Sequence, residues 1–433
     1  MERNAYQFLL DWKKSPRRKP LIIKGARQVG KTWLARSFAE NEYENHIYLS
    51  FKDNKEAKSV FKNAADTKTL LERLAIVTGE RISAGRTLLI FDEIQDCPEA
   101  VGSLKHFNEN ANEQHIISAG SLLGTYLAGQ TSFPVGKVNI LNMYPLTFDE
   151  FLREADTAMF KYYASVLKTE DYVPALHDRM MELYRKYLII GGMPECVTAW
   201  HEHKDPAEIT TIQQELVTIY EHDFAQYNNK IPAEKILHIF RNIIPQLAKE
   251  NGEKFVYSML KPGARGKDYR DAIEWLIISQ IALKVDHVSA PIYPLNAYRQ
   301  SSVFKLFLLD VGLIKYMAGL TNDSIMLDGD FSFKGQLNEN YVLQQLAPLL
   351  DFLPHYYSFD RDKEIDFILQ SKTGEIIPIE VKSGKGKRAA SFKDYIARYQ
   401  PRVAVRISGN GYVKDGMITN IPLYFAGKLM DLV

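Results

Sequence analysis

The segment Gly25–Thr32, GARQVGKT, constrains the fold of this chain more than any other part of its sequence. It matches the pattern G-x-x-x-x-G-K-[ST] in full. The apolar run LIIK precedes it, and TWLARSFAE, which is typical of a helix, follows. Such a loop turns the chain between a buried parallel strand and a helix and directs backbone N–H groups at phosphate oxygens. The pattern therefore predicts an α/β domain built around a phosphate-binding loop.

Each part of this loop has a predicted role toward a bound nucleotide. Lys31 has the reach to contact the β- and γ-phosphates, and the Thr32 hydroxyl is a ligand for Mg²⁺. Gly25 and Gly30 allow the backbone to turn sharply. The sequence thus predicts ATP and Mg²⁺ as cofactors. The predicted nucleotide contacts are Gly25, Ala26, Arg27, Gln28, Val29, Gly30, Lys31, Thr32 and Trp33.

A second motif, TLLIFDEIQ at residues 87–95, is an apolar strand that ends in two adjacent acids. Asp92 is predicted to hold Mg²⁺, and Glu93 to polarise the attacking water as the general base. The two motifs support each other, because each predicts the strand context of the other. Together they predict hydrolysis of the nucleotide rather than binding alone.

A third element, HIISAGS at residues 115–121, places Ser118 or Ser121 at the end of another strand. A polar side chain there would orient the lytic water or sense the γ-phosphate. A helix N-cap formed by Ser121 is an equally good reading. The sequence does not identify an arginine finger, since Arg36, Arg86 and Arg153 are candidates by charge alone, and Lys137 is a further basic candidate.

The pattern along the chain predicts three domains. Residues 1–225 would form a P-loop NTPase parallel sheet with a helical lid, because strands at 21–24, 46–51, 87–93 and 115–120 alternate with helical stretches and long helices follow from about 145. Residues 226–330 read as a winged-helix module with strands at 287–295 and 301–310. Residues 331–433, a helix followed by strands that include IPLYF, read as a third α/β unit.

The third unit carries candidate site residues of its own. Glu380 and Lys382 are two residues apart on a predicted strand, so both side chains leave the same face. Asp366 and Glu380 are predicted to offer oxygen ligands to a divalent metal, and Lys382 to contact a phosphate or orient a water. With Glu339 on the leading helix, this set resembles a PD-(D/E)XK, restriction-endonuclease-like fold. Such folds serve for cleavage or for binding alone, and the sequence does not decide between the two.

Charge is distributed unevenly along the chain. The net charge is +1, whereas residues 376–433 contain ten basic and four acidic side chains, a difference of +6 that includes Lys428 and the loop SGKGKR. Basic residues also punctuate KPGARGKDYR at 261–270. Both segments are consistent with DNA or RNA binding through local patches. A solvated basic face in the third unit, and a protein-docking role for the second, remain open.

Several classes of protein are disfavoured. Two cysteines, Cys97 and Cys196, are too few for a disulfide framework and fit a reducing compartment. No stretch has the apolar core of a signal peptide or the roughly 18 apolar residues of a membrane span. We therefore expect a cytoplasmic protein.

Further motifs give the chain a family resemblance. GARQVGKT, FDEIQ followed by CPEA, AGSLLG and YPLTFDEFL, together with YLIIGGMPECV, FLLDVGLIKYMAG and EIDFILQ, resemble a prokaryotic group of AAA-type P-loop ATPases with a C-terminal domain of unknown function. The group looks related to archaeal winged-helix ATPases. The resemblance covers nearly the whole chain and implies a cytoplasmic ATPase. Family members often carry an arginine before the PLTF motif, where this chain has Lys137.

Three functions follow from these patterns. The first is an ATP-driven switch acting on nucleic acid, and the second is an ATPase that regulates a protein partner through its C-terminal domain. The third is a metal-dependent nuclease gated by ATP. AAA-type modules often complete their site with an arginine from a neighbouring subunit, so the oligomeric state stays open.

Overall fold

The computed structural model describes residues 1–63, 66–121, 136–226, 231–249, 254–327, 329, 331–360, 363–382 and 390–433. These residues separate into two compact units. The N-terminal unit comprises Glu2–Tyr144 together with Ile278–Gln280. The C-terminal unit comprises Met1, Pro145–Ile277 and Ile281–Val433.

The described part of the N-terminal unit is an α/β layer structure. Its strands are β1 (Leu21–Lys24), β2 (Asn45–Ser50), β3 (Thr87–Asp92), β4 (His115–Gly120) and β5 (Asn139–Asn142). Its helices are α1 (Ala5–Lys14), α2 (Lys31–Glu42), α3 (Lys55–Phe61), α4 (Thr67–Thr78) and α5 (Pro98–Asn110). The strands form one sheet in the order β2-β3-β4-β1-β5, and all neighbours are parallel.

Burial explains why the central strands were readable from sequence. All residues of β3 and β4 are buried, and so are three of the four in β1, which gives the continuous apolar runs of a two-sided parallel sheet. The predicted parallel sheet is therefore confirmed. The edge strand β5 alternates half-buried and exposed residues, and for this reason NILN did not stand out in the sequence.

In the C-terminal unit, helices precede and flank a large mixed sheet. The helices are α6 (Phe148–Ala155), α7 (Thr157–Ser165), α8 (His177–Ile190), α9 (Pro194–His203), α10 (Pro206–Gln226), α11 (Ala233–Leu247), α12 (Gly266–Ile278), α13 (Val311–Met317), α14 (Asn322–Met326), α15 (Lys334–Leu346), α16 (Ala390–Tyr399) and α17 (Leu429–Leu432). The strands are β6 (Ala282–Val288), β7 (Arg299–Leu308), β8 (His355–Phe359), β9 (Lys363–Gln370), β10 (Ile376–Lys382), β11 (Ala404–Ser408), β12 (Val413–Asp415) and β13 (Ile418–Pro422).

These strands form one sheet among the described residues, in the order β12-β13-β11-β10-β9-β8-β6-β7. The hairpin β6–β7, predicted to belong to a separate module, is thus joined to the strands of the third predicted unit through β8. The two compact units divide at Tyr144/Pro145. The division into three domains stays a prediction.

Two strand predictions in this unit are wrong in position. The first strand of the hairpin is ALKVDHV and ends at Val288, so it shares only His287 and Val288 with the segment predicted at 287–295. Pro291 and Pro294 lie in that segment, and proline cannot donate to a strand ladder. The strand predicted as IPLYF ends at Pro422, and Leu423–Lys428 form a 3₁₀ helix.

A buried polar junction joins distant motifs of the C-terminal unit. The Asp310 carboxylate, fully buried, accepts N–H bonds from Gly192 at 2.6 Å and Leu313 at 3.1 Å, and an amide bond from Gln344 at 3.0 Å. The carbonyl oxygen of Gly192 in turn accepts a hydrogen bond from the Leu146 N–H at 2.6 Å. The motifs PLTF, GGMP and LDVGL, far apart in sequence, therefore meet at one site.

Candidate functional site

The phosphate-binding loop lies where the sequence predicts it, between β1 and α2. Gln28 and Gly30 have φ values of 66° and 92°, so the backbone enters the left-handed region twice within three residues. Gly30 directly precedes α2, and the left-handed conformation there favours glycine. The loop therefore has the turned backbone that a phosphate cradle requires.

Gly25 is required for a different reason than the one predicted. Its φ is not in the left-handed region. A Cβ atom at Gly25 would lie 2.5 Å from the carbonyl oxygen of Met143, just after β5. The Met143 N–H also donates to the Lys24 carbonyl at 2.7 Å. The glycine thus permits the close approach of the neighbouring segment rather than the turn itself.

The Lys31 side chain is buried inside this loop. Its ammonium donates to the carbonyl oxygens of Gly25 at 3.0 Å and Ala26 at 2.7 Å. Burial lowers the pKa of Lys31 to about 8, against the opposing influence of the acidic Glu93 and Asp92. A buried cation in a loop of turned backbone is suited to an anionic ligand, which would offset the cost of its desolvation.

Asp92, at the carboxyl end of β3, lies next to the loop. Its Oδ2 atom accepts hydrogen bonds from the Thr32 hydroxyl at 2.9 Å and from the Tyr48 hydroxyl at 2.7 Å. Its Oδ1 atom accepts from the backbone N–H of Glu93 at 3.1 Å. The two residues predicted to hold a divalent cation, Thr32 and Asp92, are therefore brought together, and both offer hard oxygen ligands.

Glu93 follows with φ 48°, a left-handed conformation that is uncommon for a non-glycine residue. Its carboxylate accepts from the Ser121 hydroxyl at 3.2 Å and from the Ser121 backbone N–H at 3.3 Å. The Gln95 amide donates to the same carboxylate at 2.6 Å. Ser121 is thus the residue of the third motif that contacts the predicted base.

Ser118, the other candidate of that motif, is fully buried within β4, between β1 and β3. Among the described residues, no hydrogen bond joins Ser118 to Glu93. The alternative role of Ser121 as a helix cap lies outside the described residues, because residues 122–135 are not among them.

The basic candidates for contact with the γ-phosphate are dispersed. The Arg36 guanidinium stacks over the Tyr48 ring at 3.8 Å, beside Asp92. Arg86 pairs with Glu44 at 3.7 Å, and Lys137 pairs with Glu109 at 2.9 Å. Arg153, in the C-terminal unit, pairs with Asp149 at 3.3 Å.

The predicted residues of the third unit also come together, on one face of the mixed sheet beside α15. Lys382 pairs with Glu380 at 2.5 Å, and the Val381 N–H donates to Asp366 at 2.7 Å. Two further residues, missed from the sequence, extend the set, since Lys305 on β7 pairs with Glu364 on β9 at 2.5 Å. We call these residues the carboxylate–lysine cluster: Lys305, Glu339, Glu364, Asp366, Glu380 and Lys382.

Crowding of acids in this cluster favours their protonated forms. Burial and the neighbouring Asp366 raise the pKa of Glu339 to about 8, and the same two causes raise that of Glu380 to about 8. Burial also raises the pKa of Glu364 to about 7. Burial alone would lower the pKa of Lys382, but the adjacent carboxylates outweigh it and raise it.

The metal site predicted from Asp366 and Glu380 involves two carboxylates of this cluster. Across the described ranges, no group of three or more His, Cys, Asp or Glu side chains is placed to hold a metal ion. Lys305, Lys382 and the Val381 N–H each contact one carboxylate oxygen, of Glu364, Glu380 and Asp366 respectively. One atom, Oε2 of the buried Glu380, has no hydrogen-bond partner. The metal site predicted from Asp366 and Glu380 therefore stays a prediction.

Some of the basic residues predicted to contact nucleic acid are engaged in other contacts within the fold. Lys428 is buried, and its ammonium donates to the backbone carbonyl oxygens of Tyr163 and Ala164. Arg402 pairs with Glu375 at 2.6 Å. The loop SGKGKR lies outside the described residues. The basic residues of the other segment, Lys261, Arg265, Lys267 and Arg270, are exposed around the start of α12.

Comparison with known families supports the nucleotide site. Residues 17–152 match a family model described as an AAA domain. Residues 181–324 and 334–425 match two models described as domains of unknown function, DUF8612 and DUF4143. These two descriptions carry no function, so the winged-helix and nuclease-like readings stay predictions. No curated protein matches the chain.

Solved structures with some similarity include the Aeropyrum pernix ORC2 protein in its ADP form, at 13% identity and a TM-score of 0.33, covering 75% of this chain and 92% of that one. The Aeropyrum pernix ORC1 protein in complex with DNA has 10% identity and a TM-score of 0.26, covering 73% and 90%. The Thermotoga maritima RuvB Holliday junction branch migration motor has 16% identity and a TM-score of 0.27, covering 64% and 87%. Scores this low carry no argument about function. Among the described helices, none has the length and apolar character needed to cross a bilayer.

Proposed function

We propose that this chain binds ATP with Mg²⁺ and hydrolyses it. The observation that carries the proposal is the contact at 2.9 Å between the Thr32 hydroxyl of the phosphate loop and Asp92 at the end of β3. This contact supports the proposal because it joins the phosphate loop to the acidic end of β3. The AAA domain match over residues 17–152 supports the same reading.

The proposed roles follow from the contacts of each side chain. The Lys31 ammonium would exchange the carbonyl oxygens of Gly25 and Ala26 for phosphate oxygens. Glu93 would accept the proton of the attacking water. Ser121 would hold the Glu93 carboxylate in place through its two hydrogen bonds.

Thr32 and Asp92 are the proposed Mg²⁺ ligands. Their oxygens lie within hydrogen-bonding distance of each other, and the Tyr48 hydroxyl donates to the same Asp92 oxygen, Oδ2. A bound Mg²⁺ would neutralise charge on the phosphate oxygens. The protein's own part is to hold those two oxygens together.

We further propose that ATP drives a conformational switch that acts on nucleic acid. The observation in favour is the exposed set Lys261, Arg265, Lys267 and Arg270 around the N-terminus of α12. Apolar residues farther along that helix, such as Ile273 and Leu276, are buried, so its N-terminal part is the part available to a groove. Exposed acids on the same helix, Asp268, Asp271 and Glu274, limit the strength of the contact.

Replacing both Lys267 and Arg270 by alanine is expected to weaken binding to duplex DNA at low salt. Because two phosphate contacts would be lost, the slope of log affinity against log salt should fall by about 2. Fluorescence anisotropy with a labelled duplex over a salt series measures both effects. ATP turnover with and without DNA, measured in parallel, tests whether the two activities are linked.

The matched control changes two exposed lysines of the N-terminal unit, Lys68 and Lys105, to alanine. This variant carries the same change in net charge and should bind DNA as the wild type does. Equal loss in both double variants would indicate bulk charge rather than a site on α12. If the wild type neither binds DNA nor is stimulated by it, the second hypothesis, regulation of a protein partner, takes its place.

The nuclease alternative has one favourable observation, the unpaired Oε2 atom of Glu380 inside the cluster. Against it stands the pairing of both lysines with carboxylates. Supercoiled DNA incubated with the protein and Mg²⁺ or Mn²⁺ is therefore expected to remain uncut. Nicking that disappears in Lys382→Ala but persists in the exposed control Lys393→Ala would contradict this expectation and establish the alternative.

A further inference from the structure

A buried arginine near the start of the chain, Arg3, lies against the phosphate-binding loop. Its Nη1 atom donates to the carbonyl oxygen of Val29 at 2.8 Å, and its Nη2 atom donates to the carbonyl oxygen of Tyr144 at 2.7 Å. The side chain is only 5% exposed. Burying a guanidinium costs free energy unless its N–H groups find acceptors. Two of the acceptors here are backbone carbonyls, one of them inside the loop.

The contact with Val29 has a consequence for the next residue. Val29 and Gly30 share one trans peptide unit, in which the carbonyl group and the N–H group point in opposite directions. By fixing the direction of the Val29 carbonyl, Arg3 therefore fixes the direction of the Gly30 N–H on the opposite side. That N–H belongs to the turned backbone whose amide groups are proposed to bind phosphate.

The contact with Tyr144 anchors the arginine itself. Tyr144 follows Met143, whose carbonyl lies against Gly25 at the beginning of the loop. The Met143 N–H is bonded to the Lys24 carbonyl at 2.7 Å. Arg3 thus bridges the far end of the loop, at Val29, to a segment that is already attached to its near end. The loop is held from outside at both ends.

We propose that Arg3 is a positioning residue of the nucleotide site, which holds the Val29–Gly30 peptide with its N–H directed at the phosphates. This inference rests on the proposed ATP-binding function. Arg3 acts through the loop and not on the reacting atoms. Its removal should therefore weaken the binding of ATP more than it slows the chemical step at Glu93.

The test compares Arg3→Ala with the wild-type chain. Loss of a charge-assisted hydrogen bond to the loop is expected to raise the Kd for MgATP and the KM roughly tenfold, with kcat within about threefold of the wild type. Isothermal titration calorimetry gives the Kd, and phosphate release gives KM and kcat. A merely structural arginine would lower the fraction of active protein and hence kcat, with KM unchanged.

Two further variants make the test specific. Arg3→Lys retains a cation that can donate to a carbonyl, so it should recover most of the affinity. Arg17→Ala removes an exposed arginine from the same part of the chain and should leave KM unchanged. Should Arg3→Ala fail to fold, Arg3→Gln, which keeps an amide donor without the charge, replaces it and should raise KM by a smaller factor.

The outcomes separate this inference from the function on which it rests. A wild-type KM in Arg3→Ala, or in Arg3→Gln where that variant is used, would overturn the positioning role and leave ATP hydrolysis standing. A fall in kcat with unchanged KM would overturn it as well. A wild-type chain that binds no MgATP would overturn both proposals at once.

Discussion

Lys31→Ala is expected to reduce the affinity of the chain for MgATP at least a hundredfold, to the limit of detection by calorimetry. Lys31 is the buried cation of the phosphate loop, and its ammonium already lies among the carbonyl oxygens of Gly25 and Ala26. A charged hydrogen bond to phosphate inside a protein contributes more than one at the surface. The exposed Lys105→Ala, on α5, serves as the control and should bind normally.

The same substitution should stabilise the protein when no nucleotide is present. Burial lowers the pKa of Lys31 to about 8 from its usual 10.5, so the folded state disfavours the charged form. The charged Lys31 therefore lowers the free energy of unfolding by its full amount below about pH 8. This loss becomes smaller between pH 8 and 10.5, where Lys31 gives up its proton in the folded protein but keeps it in the unfolded chain. The melting temperature of Lys31→Ala should therefore exceed that of the wild type most at pH 7. A lower melting temperature at pH 7 would contradict the assigned burial cost.

Glu93→Gln is expected to slow ATP hydrolysis by about 10² to 10⁴ while the Kd for MgATP stays within a few-fold of the wild type. The amide has the size of the carboxylate and still accepts a hydrogen bond from Ser121, but it does not accept a proton from water. Single-turnover hydrolysis and calorimetry on the same preparation measure the two quantities.

The matched control is Glu99→Gln, an exposed acid in the first turn of α5 that undergoes the same chemical change. Hydrolysis at the wild-type rate in Glu93→Gln would show that another group activates the water. A variant that loses binding and hydrolysis together would instead place Glu93 among the residues that hold the nucleotide. The expected variant, which binds without turnover, is also the form with which to isolate whatever the ATP-bound chain holds.

The candidate nucleotide site was predictable because its information is local. Asp92 ends β3 and Glu93 follows it, while Lys31 and Thr32 begin α2, after the loop that follows β1. Both strands have apolar runs that are continuous in sequence, and parallel strands bring their carboxyl ends to one edge of a sheet. Tyr48 was not predictable, since its role depends on the order of β2 and β3 in the sheet. A tyrosine two residues before the end of a strand is not a recognisable sequence motif.

The contacts of the C-terminal unit were harder to predict from the sequence because they join residues far apart along the chain. The pairing of Lys305 with Glu364 joins strands far apart in sequence, and no local pattern reports such a partner. Glu364 lies two residues before Asp366 on β9, so the sequence could have placed both acids on the same face of the strand. It contains no comparable pattern that points to Lys305. The buried Lys428 shows the opposite error, since charge counted along the sequence takes no account of what the fold covers.

The continuity of the mixed sheet limits how the chain can be divided for experiment. A fragment that begins at residue 331 would lack β6 and β7, which flank β8 on one side. The backbone groups of β8 that face β6 would become an open strand edge, which recruits other chains. Such a fragment is expected to self-associate, and nucleic-acid binding measured on it would report an artificial surface. Fragments that keep residues 281–433 together avoid this edge.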